Sequence, residues 1–180
     1  KISKEEMDRR LDEIGKCMAD PIYFCQNYFY AITPDGKQLI KPFPKQVELI
    51  KTMATKKRVV TLASRQSTKT TAYNVILLWD AIFNRDRKSL ICAHDAASAS
   101  DFVERIKLAY EMLPNWIKPG IKEWNKRSVT FSNGSRISSA PATSAARGKS
   151  INAYLVLDEF AFVENDKEFW AAVYPVVSRS

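Results

Sequence analysis

The sequence predicts an α/β fold: a mainly parallel sheet flanked by helices, with an N-terminal helical segment and β-hairpin insertions. Three observations predict it. Short apolar or β-branched runs alternate with helical patterns of about a dozen residues, the mark of βαβ units. Asp35-Gly36 and Asn133-Gly134 each stand between strand-like stretches, a hairpin signal. Finally, 46% of the 180 residues are hydrophobic, enough to bury a core.

Each element follows from local chemistry. Ser3 and Glu6 have capping-box spacing, and Met7, Leu11, Ile14 and Met18 then recur on one helical face. Asp20-Pro21 opens a second helix through PIYFCQNYFY, with proline at its first position. YAIT and KQLI flank the Asp35-Gly36 turn. Pro42 and Pro44 punctuate before a helical KQVELIKTMA. VVTLA, residues 59–63, reads as a buried strand. Thr70 to Phe83 is helical, with Val75, Leu78, Trp79 and Ile82 on one face. SLICAH (89–94) is a second buried strand, and Ala96 to Leu113 a long helix stopped by Pro114. SVTFSNGSRISS is a hairpin around Asn133-Gly134. YLVLDE (154–159) is a third buried strand, and KEFWAAVYPVV a last helix.

Composition narrows the function. The net charge of +8 favours a polyanionic partner or is simply a solvated surface. The clusters at 56–58, 85–88 and 125–127 are either contacts for duplex DNA or plain solvated surface. Cys17, Cys25 and Cys92 are widely spaced and there is one histidine, so neither a disulfide framework nor a zinc site is expected. No apolar run approaches the roughly 18 residues needed to span a bilayer, so no membrane role is expected. The chain begins KISKEEMDRR without an initiator methionine and ends VVSRS without a cap, so it reads as a segment of a longer protein.

The chemistry concentrates in two stretches. In ASRQSTKTT a strand feeds a polar turn that opens a helix. Such a junction aims backbone N–H groups and the positive helix end at one point, which binds phosphate. Ser64, Arg65, Gln66, Ser67, Thr68, Lys69, Thr70 and Thr71 form the expected cradle. Lys69 would reach the β and γ phosphates of ATP, and the Thr70 hydroxyl would ligate Mg²⁺. Ala63 and Thr68 stand where the usual pattern has glycine, so the stretch alone also reads as a polar turn before an ordinary helix. About ninety residues on, the apolar run YLVL ends in Asp158-Glu159. Asp158 would hold the metal's shell and Glu159 would polarise the attacking water. The two stretches together point to ATP hydrolysis. Gln46 offers an amide for the adenine edge and Phe43 a ring to stack on it. Arg65 and Arg147 are each placed to act as an arginine finger. His94, at a strand end, reads as structural or as touching the loop.

These residues resemble a family. SRQSTKTT, LPNWIKPGIKEWNKRSVTFSNGSRI, AARGKS with LVLDEFAFV, and FWAAVYPVVS resemble the ATPase domain of tailed-bacteriophage terminase large subunits of the T-even type, from about Pro21 onward. The resemblance implies a P-loop NTPase fold of the additional-strand, catalytic-glutamate type. It implies that residues 1–180 are the N-terminal motor domain, with 1–42 a helical and hairpin extension within it. It implies a ring of copies at a procapsid portal in the host cytoplasm, hydrolysing ATP with Mg²⁺ to drive double-stranded DNA inward. Its partners would be the portal protein and the small terminase subunit. By the same resemblance Lys69 is the phosphate lysine, Arg65 the loop arginine that senses the γ-phosphate, and Gln46 the adenine reader. Thr70 and Asp158 hold Mg²⁺, Glu159 is the catalytic carboxylate, and Arg147 reaches a neighbouring subunit's site.

Two departures stand out. The family loop reads S-R-Q-x-G-K-[ST], and Thr68 replaces its glycine. If that position needs φ > 0, a β-branched residue there is strained by about 1–3 kcal/mol, and weaker ATP use is expected. The family's coupling motif, small subdomain and nuclease domain would lie beyond Ser180, so no nuclease activity is expected of this segment. A helicase-like translocase shares the glutamine, loop and Asp-Glu layout. A DNA-binding or ring-assembly module with a decayed nucleotide site is the third reading, and Thr68 favours it.

Overall fold

The structure is a computed structural model that describes residues 2–62, 69–142, 150–160 and 166–177. The chain divides into two compact units, Lys1–Trp79 with Leu108–Lys118, and Asp80–Lys107 with Pro119–Ser180.

In the first unit, helix α1 (Lys4–Ala19) starts where Ser3 Oγ accepts the backbone N–H of Glu6 at 3.2 Å. Helix α2 (Pro21–Tyr28) starts where Asp20 Oδ1 accepts from the N–H of Ile22 at 2.8 Å, with Pro21 in the first turn. Both caps satisfy backbone donors that a helix leaves open. The second helix ends at Tyr28, two residues earlier than expected, because Tyr30 is already paired in β1 (Tyr30–Thr33) with β2 (Gly36–Leu39). Thr33 pairs with Gly36, so the two-residue turn is Pro34-Asp35, one position before the expected one. Gly36 has φ +95°, which suits a residue without a Cβ.

A polar tie links the first two helices: the hydroxyls of Tyr23 and Tyr28 donate to Glu13 Oε1 at 2.8 and 2.9 Å. These bonds hold the Glu13 carboxyl below its usual range, the Tyr23 bond foremost. Tyr28 also meets Trp116 edge-on at 6.0 Å, and the Arg10 guanidinium lies 5.8 Å from the same ring. Trp79 donates its indole N–H to the Cys17 carbonyl at 2.8 Å. Cys17 and Cys25 are buried free thiols, each pushed up to about 12 by burial. Helix α3 (Pro44–Thr55) carries buried Gln46, Ile50 and Met53.

Residues 59–62 depart from expectation. The β-branched run is not a strand; Val60 and Leu62 are fully exposed and pair with nothing among the described residues. β-propensity describes fit to a pleated, half-buried surface, and only a neighbouring strand makes such a surface. Helix α4 (Lys69–Phe83) is more buried than one apolar stripe requires. Every residue from Ala72 to Leu78 is buried.

The second unit holds a five-stranded sheet in the order β4-β5-β6-β3-β7. Its strands are β3 (Lys88–Ala93), β4 (Ile121–Asn125), β5 (Ser128–Phe131), β6 (Arg136–Pro141) and β7 (Leu155–Leu157). β3 runs parallel to β6 and β7, whereas β4–β5 and β5–β6 are antiparallel, so the sheet is mixed. The expected hairpin supplies one antiparallel pair. The other comes from β4, whose charged, exposed pattern did not read as a strand. Helix α5 (Ala96–Met112) follows β3, and helix α6 (Asp166–Val177) follows β7. Phe169 of α6 packs with Leu90, Cys92, Ala140 and Ile151, so alternate residues of β3 face this helix.

Asn133 is more than a turn former. Its Nδ2 donates to the carbonyls of Ala81, Ile82 and Asn84 at 2.8, 3.3 and 3.1 Å, and its Oδ1 accepts from the N–H of Ser135 at 3.0 Å. One amide thus covers carbonyls that the end of α4 leaves open. Replacing Asn133 with Ala should lower stability by about 2 kcal/mol, seen as an earlier urea midpoint at unchanged slope. Gly134, with φ +86°, has no room for a Cβ beside the Asp86 carboxylate.

Candidate nucleotide site

Lys69, Thr70 and Thr71 form the first turn of α4 and are half-buried. The first N–H groups of a helix have no intrahelical acceptor, and the dipole there is positive. A primary amine and two hydroxyls therefore share a turn with donors suited to an anion. Ser64, Arg65, Gln66, Ser67 and Thr68 lie outside the described residues, as does Arg147.

Gln46 and Phe43 stand at the start of α3. Gln46 is buried, and its Oε1 accepts the backbone N–H of Phe43 at 2.9 Å, which fixes the carboxamide's orientation. The Phe43 ring is 64% exposed, an available face for stacking. Among the basic clusters, Lys56, Lys57 and Arg58 are exposed, as are Lys126 and Arg127. The cluster at 85–88 is partly structural, because Arg87 pairs with buried Asp80 at 2.9 Å.

In the second unit the acidic pair follows β7 directly. The register of β3 and β7 matches Cys92 with Leu157. The Asp158 N–H extends that ladder by donating to the Cys92 carbonyl at 2.9 Å. Asp158 is buried, and Glu159 is half-buried. Glu159 has φ +52°, the left-handed region that costs a side-chain-bearing residue about 1–2 kcal/mol. Backbone strain of this kind gathers at functional positions.

His94 follows β3 at the same edge. Its Nδ1 lies 3.1 Å from Glu159 Oε2, and its Nε2 lies 2.6 Å from Asp95 Oδ2. Asp95 is itself fixed, accepting the backbone N–H of Ser98 at 2.8 Å and the Ser98 hydroxyl at 3.0 Å. Those bonds, the backbone one foremost, hold the Asp95 carboxyl below its ordinary range. The three side chains make a line, Asp95–His94–Glu159, at the carboxyl ends of two adjacent parallel strands. Open α/β sheets bind their ligands at that edge. From the sequence alone His94 has only a general role, structural or touching the loop. What was available in it was that two buried runs both end in polar groups, a signal that becomes specific only once the strands are known to be neighbours.

A family model described as terminase large subunit, T4likevirus-type, N-terminal, matches residues 60–180. The chain belongs to this terminase family. The matched stretch includes both the Lys69–Thr71 turn and the Asp158-Glu159 pair. Among solved structures the terminase chain is similar to the large terminase ATPase domain of Thermus phage P74-26, at 22% identity and a TM-score of 0.61. The match covers 77% of this chain and 61% of that one. An arginine-to-alanine variant of that domain matches at 21% identity, with the same TM-score and coverage. The likeness establishes the fold, an α/β domain with a mixed sheet flanked by helices. The terminase chain spans about three-fifths of the length of those ATPase-domain chains.

Proposed function

We propose that this chain is the ATP-hydrolysing motor segment of a DNA-packaging terminase large subunit. The family match across both the Lys69 turn and the Asp158-Glu159 edge is the observation that supports it. In this reading Lys69 and the first N–H groups of α4 hold the β and γ phosphates. Thr70 and Asp158 hold Mg²⁺. The donor set suits that ion, because a hydroxyl and a carboxylate are the hard oxygen donors it prefers. When bound there, Mg²⁺ would supply neutralisation of charge on the phosphoryl group.

Glu159 accepts a proton from the attacking water, or orients it, which is work for a carboxylate that is partly open to solvent. Gln46 and Phe43 receive the adenine. Arg65 stabilises charge on the γ-phosphate, and Arg147 does so in a neighbouring copy, which makes turnover depend on a ring. Double-stranded DNA is the translocated polymer. The portal protein and the small terminase subunit are its assembly partners at the procapsid in the host cytoplasm.

Phosphate release from ATP, measured with and without duplex DNA, tests the proposal. Mg²⁺-dependent turnover lost in Lys69→Ala agrees with it, and failure to bind ATP at millimolar concentration contradicts it. Thr68 supports a second reading, a DNA-binding or assembly module with a weakened nucleotide site. Thr68→Gly should tighten ATP binding by about tenfold if the threonine strains or crowds the loop. Titration calorimetry of the two forms decides, and equal affinities remove the strain argument. Duplex DNA affinity should fall steeply with salt if the clusters at 56–58 and 125–127 contact phosphate.

A further inference from the structure

We propose that Asn74 is a positioning residue for the Thr70 hydroxyl, accepting that hydroxyl's proton when its oxygen serves as a metal ligand. The proposal rests on the reading of Thr70 as a Mg²⁺ ligand. The observations that carry it lie within the first two turns of α4.

Asn74 is 2% exposed. Among the described residues its Oδ1 has no hydrogen-bond partner. The other residues from Ala72 to Leu78 are buried hydrophobic groups, so an amide at this position departs from its surroundings. A buried amide oxygen left open costs a desolvation that an apolar side chain of like shape avoids. Packing alone would be served better by leucine.

The direction of the side chain names its use. In a helix the Cα–Cβ bonds tilt toward the N-terminus, and a side chain lies over the residues three and four positions back. For Asn74 these are Thr71 and Thr70, the half-buried hydroxyls of the first turn. At 3.6 residues per turn Asn74 stands about 40° around the helix axis from Thr70 and about 60° from Thr71. The open oxygen therefore belongs to a side chain that leans on the turn assigned to the cation.

A hydroxyl that gives a lone pair to a cation keeps its proton and needs an acceptor for it. Threonine in a helix divides between two χ1 rotamers, so the hydroxyl has a choice of directions. An acceptor one turn further along the helix selects the direction that leaves the lone pair for the metal. Partners of this outer kind orient the ligand, and their loss lowers metal affinity by about 10–100-fold. The same oxygen destabilises the ligand-free chain, in which it has nothing to accept. Stability and metal affinity should thus move in opposite directions when Asn74 is replaced.

Two measurements on the whole chain read the two sides. Asn74→Leu should raise the urea midpoint of the ligand-free chain at unchanged slope. Titration calorimetry with a non-hydrolysable ATP analogue, run once with Mn²⁺ and once with EDTA, gives the tightening that the metal brings. In Asn74→Leu that tightening should fall by about tenfold, with metal-free affinity within about twofold. Asn74→Ala, which removes the amide without adding bulk, should lose it equally. Thr70→Val should lose the tightening as well, and adding Asn74→Leu to it should cost nothing further. A urea midpoint that falls in Asn74→Leu would show the amide already satisfied and overturn the proposal. Full tightening in both Asn74 variants beside a loss in Thr70→Val would overturn positioning and leave the Thr70 reading intact. A matching loss of metal-free affinity would make Asn74 a packing residue for the whole turn and also overturn it. Full tightening in Thr70→Val would remove the metal reading of Thr70, and the proposal with it.

Discussion

Glu159→Gln lowers the rate of ATP hydrolysis by about 10²–10⁴-fold, the range set by a lost general base, and leaves ATP affinity nearly unchanged. The substitution is isosteric, so the fold and the left-handed backbone at that position are kept. What it removes is the ability to accept a proton. The groups assigned to ground-state binding are other residues: Lys69, Thr70, the first N–H groups of α4, and Gln46 at the start of α3. A loss confined to the chemical step marks an interaction made in the transition state. Single-turnover phosphate release with titration calorimetry separates the two quantities. If affinity falls in step with rate, Glu159 is a binding group rather than the group that activates water.

The second large effect concerns stability. Arg87→Ala destabilises the chain by about 3 kcal/mol near neutral pH. Asp80 is almost fully buried near the end of α4, and Arg87 Nε reaches both its oxygens at 2.9 and 3.1 Å. Burial raises the Asp80 carboxyl above its ordinary range, and the Arg87 hydrogen bond pulls it back down. Folding thus disfavours the charged form. Stability is fullest below the unfolded-state pKa and is lost as pH rises through the folded-state value. Without Arg87 the opposing pull is gone and the loss at neutral pH deepens. The variant should therefore regain part of its stability on acidification into the carboxylate range, where Asp80 takes a proton. Asp80→Asn added to Arg87→Ala should restore most of the loss at neutral pH, because a neutral amide needs no counter-ion. Urea unfolding across pH measures both effects, and a pH-independent deficit would mean that Arg87 acts by packing alone.

Much of this architecture was legible because its determinants are local. Ser3 and Asp20 name two helix starts, and Asn133-Gly134 names a hairpin. The apolar runs at 89–93 and 155–157 name two strands that the structure pairs in parallel. The failures share one cause. Whether Val59–Leu62 forms a strand depends on a partner, and no partner is written in those residues. β4 is the converse case: its residues are mostly exposed, with Lys122 and Glu123 charged, yet pairing with β5 makes it a strand. The site behaved in the same way. Lys69, Thr70, Asp158 and Glu159 were named from residue type and order. The link from His94 to Glu159 was not, because it depends on which strand lies beside which. Arg87 looked like one more member of a basic cluster, since its partner Asp80 stands seven residues earlier on a helix that reads as apolar.

One measurement bears most directly on the central claim that the start of α4 and the Asp158-Glu159 edge serve one magnesium nucleotide. Crystals of the chain grown with a non-hydrolysable ATP analogue and Mn²⁺ in place of Mg²⁺ would give the metal's position by anomalous scattering. The account predicts one metal peak, bound by the Thr70 hydroxyl and by β and γ phosphate oxygens, with Asp158 on it directly or through a water. A metal and triphosphate lying away from either Thr70 or Asp158 would contradict it.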